Sequence, residues 1–229
     1  MSSKTLGIIG GMGPEATVDL MMKIIKKTPA KVEQDHIRVI ADNNPHIPCR
    51  IKAIMENAES SGPMMVEMAK NLEKAGADFL VIACNTAHYY FKDVEAAVNI
   101  PVLNIIDETV KVLLQEKVQK VTLLATKANI YTGLYDKALN QTGIELVLPS
   151  EAYQEKVLDV IAKIKAGKYE EARSYTDEII NHCMELGAEA VILGCTELPM
   201  AFCDQENLPI YLYDPADIIS EVIVTKALN

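Results

Sequence analysis

One segment occurs twice in this chain. Residues 75–86 read AGADFLVIACNT, and residues 186–197 read LGAEAVILGCTE. Gly76 and Gly187 each stand eight positions before a cysteine, Cys84 and Cys195. A glycine just past a helical pattern supplies the conformation that ends the helix. The continuous apolar run that follows reads as a strand buried on both faces, as in parallel sheets. A chain that holds this unit twice is constrained to two similar α/β halves. Each half then delivers a thiol where a strand ends, followed by small polar residues.

Two further landmarks recur in the same order, roughly half a chain apart, which points to duplication. GIIGGMGP, residues 7–14, has its counterpart in TLLATKAN, residues 122–129. PVLNIID at 101–107 resembles PIYLYD at 209–214, and both leave at an aspartate suited to cap the next helix, Asp107 and Asp214. Strands are predicted at 6–9, 37–41, 79–83, 102–105, 121–125, 146–148, 190–193 and 210–213. Helical patterns cover 16–27, 64–74, 94–98, 109–115, 134–140, 157–165 and 169–186. In the first of these, Val18, Met21, Met22 and Ile25 share one face. The alternation defines the α/β class. It divides into an N-terminal domain, 1–105 plus 208–229, and a C-terminal domain, 106–207.

Composition narrows the function. The 229 residues suffice for a large core, and 49% are hydrophobic, as in globular chains. The net charge is −10 with no basic run, which argues against nucleic acid and anionic membranes as partners. Tryptophan is absent, so aromatic binding platforms are not expected. Five cysteines without scaffold spacing indicate a reduced, cytoplasmic setting. No apolar run reaches the length of a signal core or a membrane span.

Open parallel sheets bind ligands at the carboxyl ends of their strands. Here those ends are the 10–14 turn, Cys84-Asn85-Thr86, Thr126 and Cys195-Thr196-Glu197. Two opposed thiols suit inversion at a carbon, since one base serves each face and a thiolate can be tuned by its neighbours. Asn85, Thr86, Thr196 and local backbone N–H groups are placed to hold a carboxylate and stabilise the carbanion. A lone strand-end cysteine is ordinarily a small buried hydrophobe, and Cys49, Cys183 and Cys203 are read that way. Gly11-x-Gly13-x-x-Ala16 matches a dinucleotide fingerprint only weakly, and a tight turn lining a small polar site is the better reading. His46-x-x-Cys49 and Cys84-x-x-x-His88 lack a paired metal knuckle, so no metal is expected. His88 packs near the Cys84 turn and could donate to the thiol. Arg50, in a polar loop after the second strand, is either a solvated side chain or a carboxylate clamp. Lys165 near a helix end is explained by the helix dipole unless a partner is found.

GGMGPEAT, ACNTAH, NNPHIP-x-R and GCTEL together resemble the aspartate/glutamate racemase superfamily, specifically its aspartate racemase branch, over essentially the whole chain. The resemblance implies two pseudo-symmetric Rossmann-like or flavodoxin-like domains with parallel sheets and the active site in the cleft between them. It implies an amino-acid racemase that uses neither PLP nor metal, acts on a small amino-acid substrate and forms a homodimer. By the same resemblance Cys84 and Cys195 are the catalytic pair, serving the D- and L-enantiomer respectively. Asn85, Thr86, Thr126 and Thr196 contact the substrate, Met12 and Gly13 form the N-terminal turn, and Arg50 and Lys165 recognise carboxylates. Glu197 completes the candidate set. Two departures matter. Gly10-Gly11-Met12 stands where glutamate racemases carry Asp-Ser, and Cys49 precedes Arg50 where many relatives carry Asp. A diacid isomerase acting on maleate and a binding protein for acidic amino acids remain as alternatives.

Overall fold

The computed structural model describes residues 4–202 and 208–229, so Cys203 lies outside the described residues. The chain forms two compact units. One comprises Met1–Glu108 with Ala216–Asn229, the other Thr109–Pro215.

In the first unit the strands are β1 (Leu6–Gly10), β2 (Val39–Asn43), β3 (Phe79–Ile82) and β4 (Val102–Leu103). They pair in parallel in the order β2-β1-β3-β4. The second unit has β5 (Lys120–Leu124), β6 (Glu145–Val147), β7 (Ala190–Leu193) and β8 (Tyr211–Tyr213). Its order, β6-β5-β7-β8, is the same arrangement shifted by four strands. The duplicated segment therefore makes the third strand of each sheet, and both copies are buried along their whole length. Gly76 and Gly187 both have positive φ, as a glycine ending the preceding helix should.

The helices are α1 (Pro14–Lys27), α2 (Arg50–Met55), α3 (Gly62–Lys74), α4 (Phe91–Ala97), α5 (Ile105–Gln115), α6 (Lys127–Thr132) and α7 (Leu134–Leu139). They continue with α8 (Glu151–Lys165), α9 (Tyr169–Arg173), α10 (Thr176–Glu185), α11 (Leu198–Ala201) and α12 (Pro215–Leu228). Met65, Met68 and Leu72 of α3 pack with Ile9, Leu80 and Ile82 in the first core. Val157, Ile161 and Ile164 of α8 pack with Ile179, Cys183, Val191 and Leu193 in the second.

Four local readings change. The α1 face made of Val18, Met22 and Ile25 points outward, with Val18 54% exposed. The buried side of α1 is Ala16, Thr17, Leu20 and Ile24. Two apolar stripes run along this helix, and the sheet takes the one with small residues at its N-terminal end. Ile105 opens α5 instead of ending β4, because Asn104 Oδ1 accepts from the N–H groups of Ile106 (3.0 Å) and Asp107 (3.3 Å). Asn104 is thus the cap that was expected at Asp107. The 169–186 helix is two, α9 and α10, separated at Ser174-Tyr175. Arg50 begins the short helix α2 rather than lying in a loop.

Candidate active site

Each sheet presents its thiol two residues beyond the third strand. Cys84 follows β3, and Ala83 N–H still bonds Ile9 C=O at 3.0 Å. Cys195 follows β7, and Gly194 N–H bonds Leu124 C=O at 2.7 Å. These last rungs hold both cysteine backbones to the central strand of their sheet. Both cysteines are free thiols and both are 7% exposed.

Around Cys195 the polar groups form a connected set. Its Sγ–H donates to Glu197 Oε2 at 2.9 Å, and Thr196 Oγ1 donates to the same oxygen at 3.3 Å. Lys165 Nζ, from the last turn of α8, stands 3.5 Å from Glu197 Oε1. Glu197 is nearly buried. Burial pushes the Cys195 thiol well above its ordinary pKa, the Glu197 carboxylate adds to the rise, and the Lys165 charge opposes it. Cys195 is therefore held as a thiol rather than a thiolate. Lys165 has a defined partner beyond the helix dipole. Cys183 behaves as expected of a buried hydrophobe, with burial raising its thiol to about 11.

Thr126 caps α6, its Oγ1 accepting from Asn129 N–H at 3.2 Å. Asn129 Nδ2 donates to Gly194 C=O at 3.2 Å, tying the end of β5 to the residue before Cys195. Gln154, on α8, donates to Ala125 C=O at 2.9 Å. Thr126, Lys165, Thr196 and Glu197 thus gather near Cys195 within the second unit.

In the first unit Met12 and Cys84 belong to one buried cluster. The glycine turn before α1 is held by Thr17. Its Oγ1 accepts from Gly11 N–H at 2.9 Å and donates to Gly13 C=O at 3.2 Å. A Cβ on Gly10 would strike the Thr17 side chain, and one on Gly11 would strike the Asn44 backbone. Close packing within the chain accounts for these glycines without a pyrophosphate. Asn85 and Thr86 are buried where a 3-10 turn, Thr86–Tyr90, begins.

His88 has a single role. It is fully buried, and burial lowers its pKa to about 4, so the ring is neutral near pH 7. Its Nδ1 lies 2.9 Å from Cys84 C=O, which only accepts, so Nδ1 carries the proton. Nε2 accepts from Ile105 N–H at 3.1 Å. Both nitrogens are spent on the backbone, so His88 neither ligates a metal nor donates to the thiol. It fixes the Cys84 turn against the start of α5. Among the described residues no group of three His, Cys, Asp or Glu side chains is arranged to hold a metal. Arg50, in the first turn of α2, donates from Nη1 to Pro48 C=O at 3.1 Å.

Thr17, Asn129 and Gln154 were missed in the sequence. Thr126-x-x-Asn129 carried a signal, a polar side chain three residues after a cap. Thr17 and Gln154 carried none, since their partners are distant carbonyls or a turn whose shape is not written locally.

Two like parallel-sheet units, each ending its third strand in a buried thiol among small polar groups, define the architecture of an α/β amino-acid racemase. Residues 9–222 match the Asp/Glu/hydantoin racemase family model. The Bacillus subtilis (strain 168) broad-specificity amino-acid racemase RacX is 30% identical over 199 residues, 80% of this chain and 86% of its own. An aspartate racemase from Picrophilus torridus superposes with a TM-score of 0.89 at 35% identity, over 98% of this chain and 94% of that one. An aspartate racemase homologue from Pyrococcus horikoshii OT3 gives 0.81 at 32% identity, over 99% and 100%. The chain belongs to the Asp/Glu/hydantoin racemase family.

Proposed function

We propose that this enzyme interconverts L- and D-aspartate, with glutamate as the second dicarboxylate, by a two-base reaction of Cys84 and Cys195 that needs neither PLP nor metal. The observation that carries this reading is the equivalent placement of the two buried thiols, each just past the third strand of its sheet. In the forward step a thiolate removes the α-proton, forming S–H as the C–H bond breaks. The other thiol delivers its proton to the opposite face, and its sulfur is left as thiolate. Reversal exchanges the two roles. The Cys195–Glu197 contact supports Cys195 as the thiol of the resting enzyme, which leaves Cys84 as the first base. Thr196, Thr126, Asn85, Thr86 and the turn at Met12-Gly13 supply hydrogen bonds to the substrate. Arg50 and Lys165 supply positive charge for its carboxylates against the −10 net charge of the chain.

Incubation with L-aspartate in heavy water, without PLP, tests the proposal. D-aspartate carrying α-deuterium is the expected product. If neither aspartate nor glutamate racemises or exchanges its α-proton, the reading fails.

A wider substrate range is the second reading. The Arg50 guanidinium is turned partly onto its own loop at Pro48, Cys49 replaces an acid beside it, and one relative is named for broad specificity. Running the same exchange assay over a panel of amino acids separates the two. We also propose that the enzyme assembles as a homodimer. The exposed stripe of Val18, Met22 and Ile25 on α1 supports an apolar contact between copies.

A further inference from the structure

Ser61 stands at the N-cap position of α3, where a serine hydroxyl ordinarily accepts from a backbone N–H of the first turn. Ser61 makes no such bond. The Gly62 N–H bonds Ser60 Oγ at 3.2 Å instead. Ser61 is fully buried, and its Oγ donates to Pro48 C=O at 2.8 Å, 13 residues back in the chain. The same carbonyl accepts from Arg50 Nη1 at 3.1 Å. A carbonyl oxygen has two lone pairs, so it holds both donors at once.

This bond ties down the segment that carries Arg50. Ile47 is anchored in the first core, in the cluster that contains Met12 and Cys84. Cys49, at the N-cap position of α2, makes no side-chain cap bond. Between that anchor and α2, the Ser61 hydroxyl joins the segment to α3. The start of α3 also borders the thiol turn. Gly62 lies against the Tyr90 ring, where an added Cβ would come within 2.9 Å. Tyr90 ends the 3-10 turn that follows Cys84. Ser61-Gly62 therefore meets the Arg50 segment on one side and the Cys84 turn on the other.

We propose that Ser61 is a positioning residue for substrate recognition: its hydroxyl fixes the Pro48 carbonyl, and that carbonyl sets the plane of the Arg50 guanidinium for a substrate carboxylate. The inference rests on the Arg50 role proposed above. A guanidinium recognises a carboxylate through a planar fork, so its orientation matters as well as its charge. The Nη1 bond to Pro48 holds one edge of that plane. It removes rotamer freedom that the side chain would otherwise lose on binding. Ser61 has no exposed surface and does not itself touch the ligand. It acts through Pro48 and Arg50.

The test is a double-mutant cycle read by aspartate α-proton exchange in heavy water. Ser61→Ala removes the hydroxyl but leaves Pro48 C=O paired with Arg50, so the carbonyl is not orphaned and the fold is kept. Its KM for aspartate is expected to rise about fivefold or more, the scale of one hydrogen bond, with kcat within about twofold. Arg50→Lys keeps the charge, gives up the planar fork, and is expected to raise KM by itself. On the Arg50→Lys background Ser61→Ala should add less than about twofold, because no fork is left to orient. A further loss of about fivefold on that background overturns the proposal, since Ser61 would then act independently of Arg50. A Ser61→Ala enzyme that loses kcat with its KM unchanged overturns it too. If Arg50→Lys raises KM and Ser61→Ala does not, the positioning role alone fails. If Arg50→Lys leaves KM unchanged, the Arg50 role fails and takes this inference with it. An intact enzyme that exchanges no α-proton sinks the racemase reading and this one together.

Discussion

Glu197 accepts from the Cys195 thiol, so its carboxylate bears directly on the proton that sulfur holds. A carboxylate that accepts from a thiol stabilises the protonated form, and burial acts in the same direction. Glu197→Gln removes the charge and keeps the shape. In the proposed two-base reaction loss of the Cys195 proton sets the alkaline limb of the pH–rate profile, and that limb is therefore expected to move to lower pH. An unmoved limb would show that the carboxylate does not act on the thiol. His88 gives a second titration with a worked sign. Its folded pKa of about 4 lies below the ordinary 6.5, so the unfolded chain binds the extra proton first. Its contribution is whole above pH 6.5 and is lost as pH falls toward 4. The 2.5-unit interval corresponds to about 3 kcal/mol. Urea midpoints taken between pH 7 and 4 should fall, and His88→Gln should flatten that slope while lowering stability at pH 7.

At the scale of elements, the β1–α1 turn stores its constraint in glycine. Gly11 has φ of +89° and sits against the Asn44 backbone. Gly11→Ala is expected to cost about 2 kcal/mol or more, read as a drop in thermal midpoint. A neutral result would mean the loop at Asn44 can retreat. On α1, Leu20→Ala should cost about 2–5 kcal/mol, because Leu20 faces the sheet. Val18→Ser should leave the fold of a single copy within about 0.5 kcal/mol. That contrast was illegible in the sequence. Val18, Met22 and Ile25 have the spacing of a core face, and so does the stripe through Leu20 and Ile24. Periodicity says that a helix has an apolar side, but two such sides on one helix are ranked only by what packs there. The missed cap at Asn104 has a similar origin. Asn and Asp are both good caps, and the choice between positions 104 and 107 fell to where β4 stops.

At the scale of the molecule, the two sheets share one strand order, each with a thiol after the same strand. A reaction that uses both sulfurs on one α-carbon should lose about a hundredfold or more of its rate when either is removed. Cys84→Ser and Cys195→Ser should each be nearly inactive, and mixing the two variants should not restore racemisation. Recovery on mixing would mean that the working thiols come from different chains. Sedimentation of the intact enzyme beside a Val18→Ser/Met22→Ser variant tests the homodimer. A dimer that survives the change places its contact elsewhere. Among the described residues no helix is long and apolar enough to cross a membrane.

The sequence by itself determined the α/β class, the recurrence of the same landmarks in each half and the two cysteines at equivalent strand ends. These follow from short-range rules: glycine ends helices, β-branched runs make buried strands, and a repeat copies both. Only the tertiary structure decided what surrounds each thiol. Lys165 comes from α8 to meet Glu197, Gln154 from the same helix to meet Ala125, and Asn129 from α6 to meet Gly194. His88 was neutralised by burial and by two backbone partners, one of them 17 residues away. Protonation and hydrogen bonding depend on distance through space and on desolvation. Neither is written in the spacing of residues along the chain.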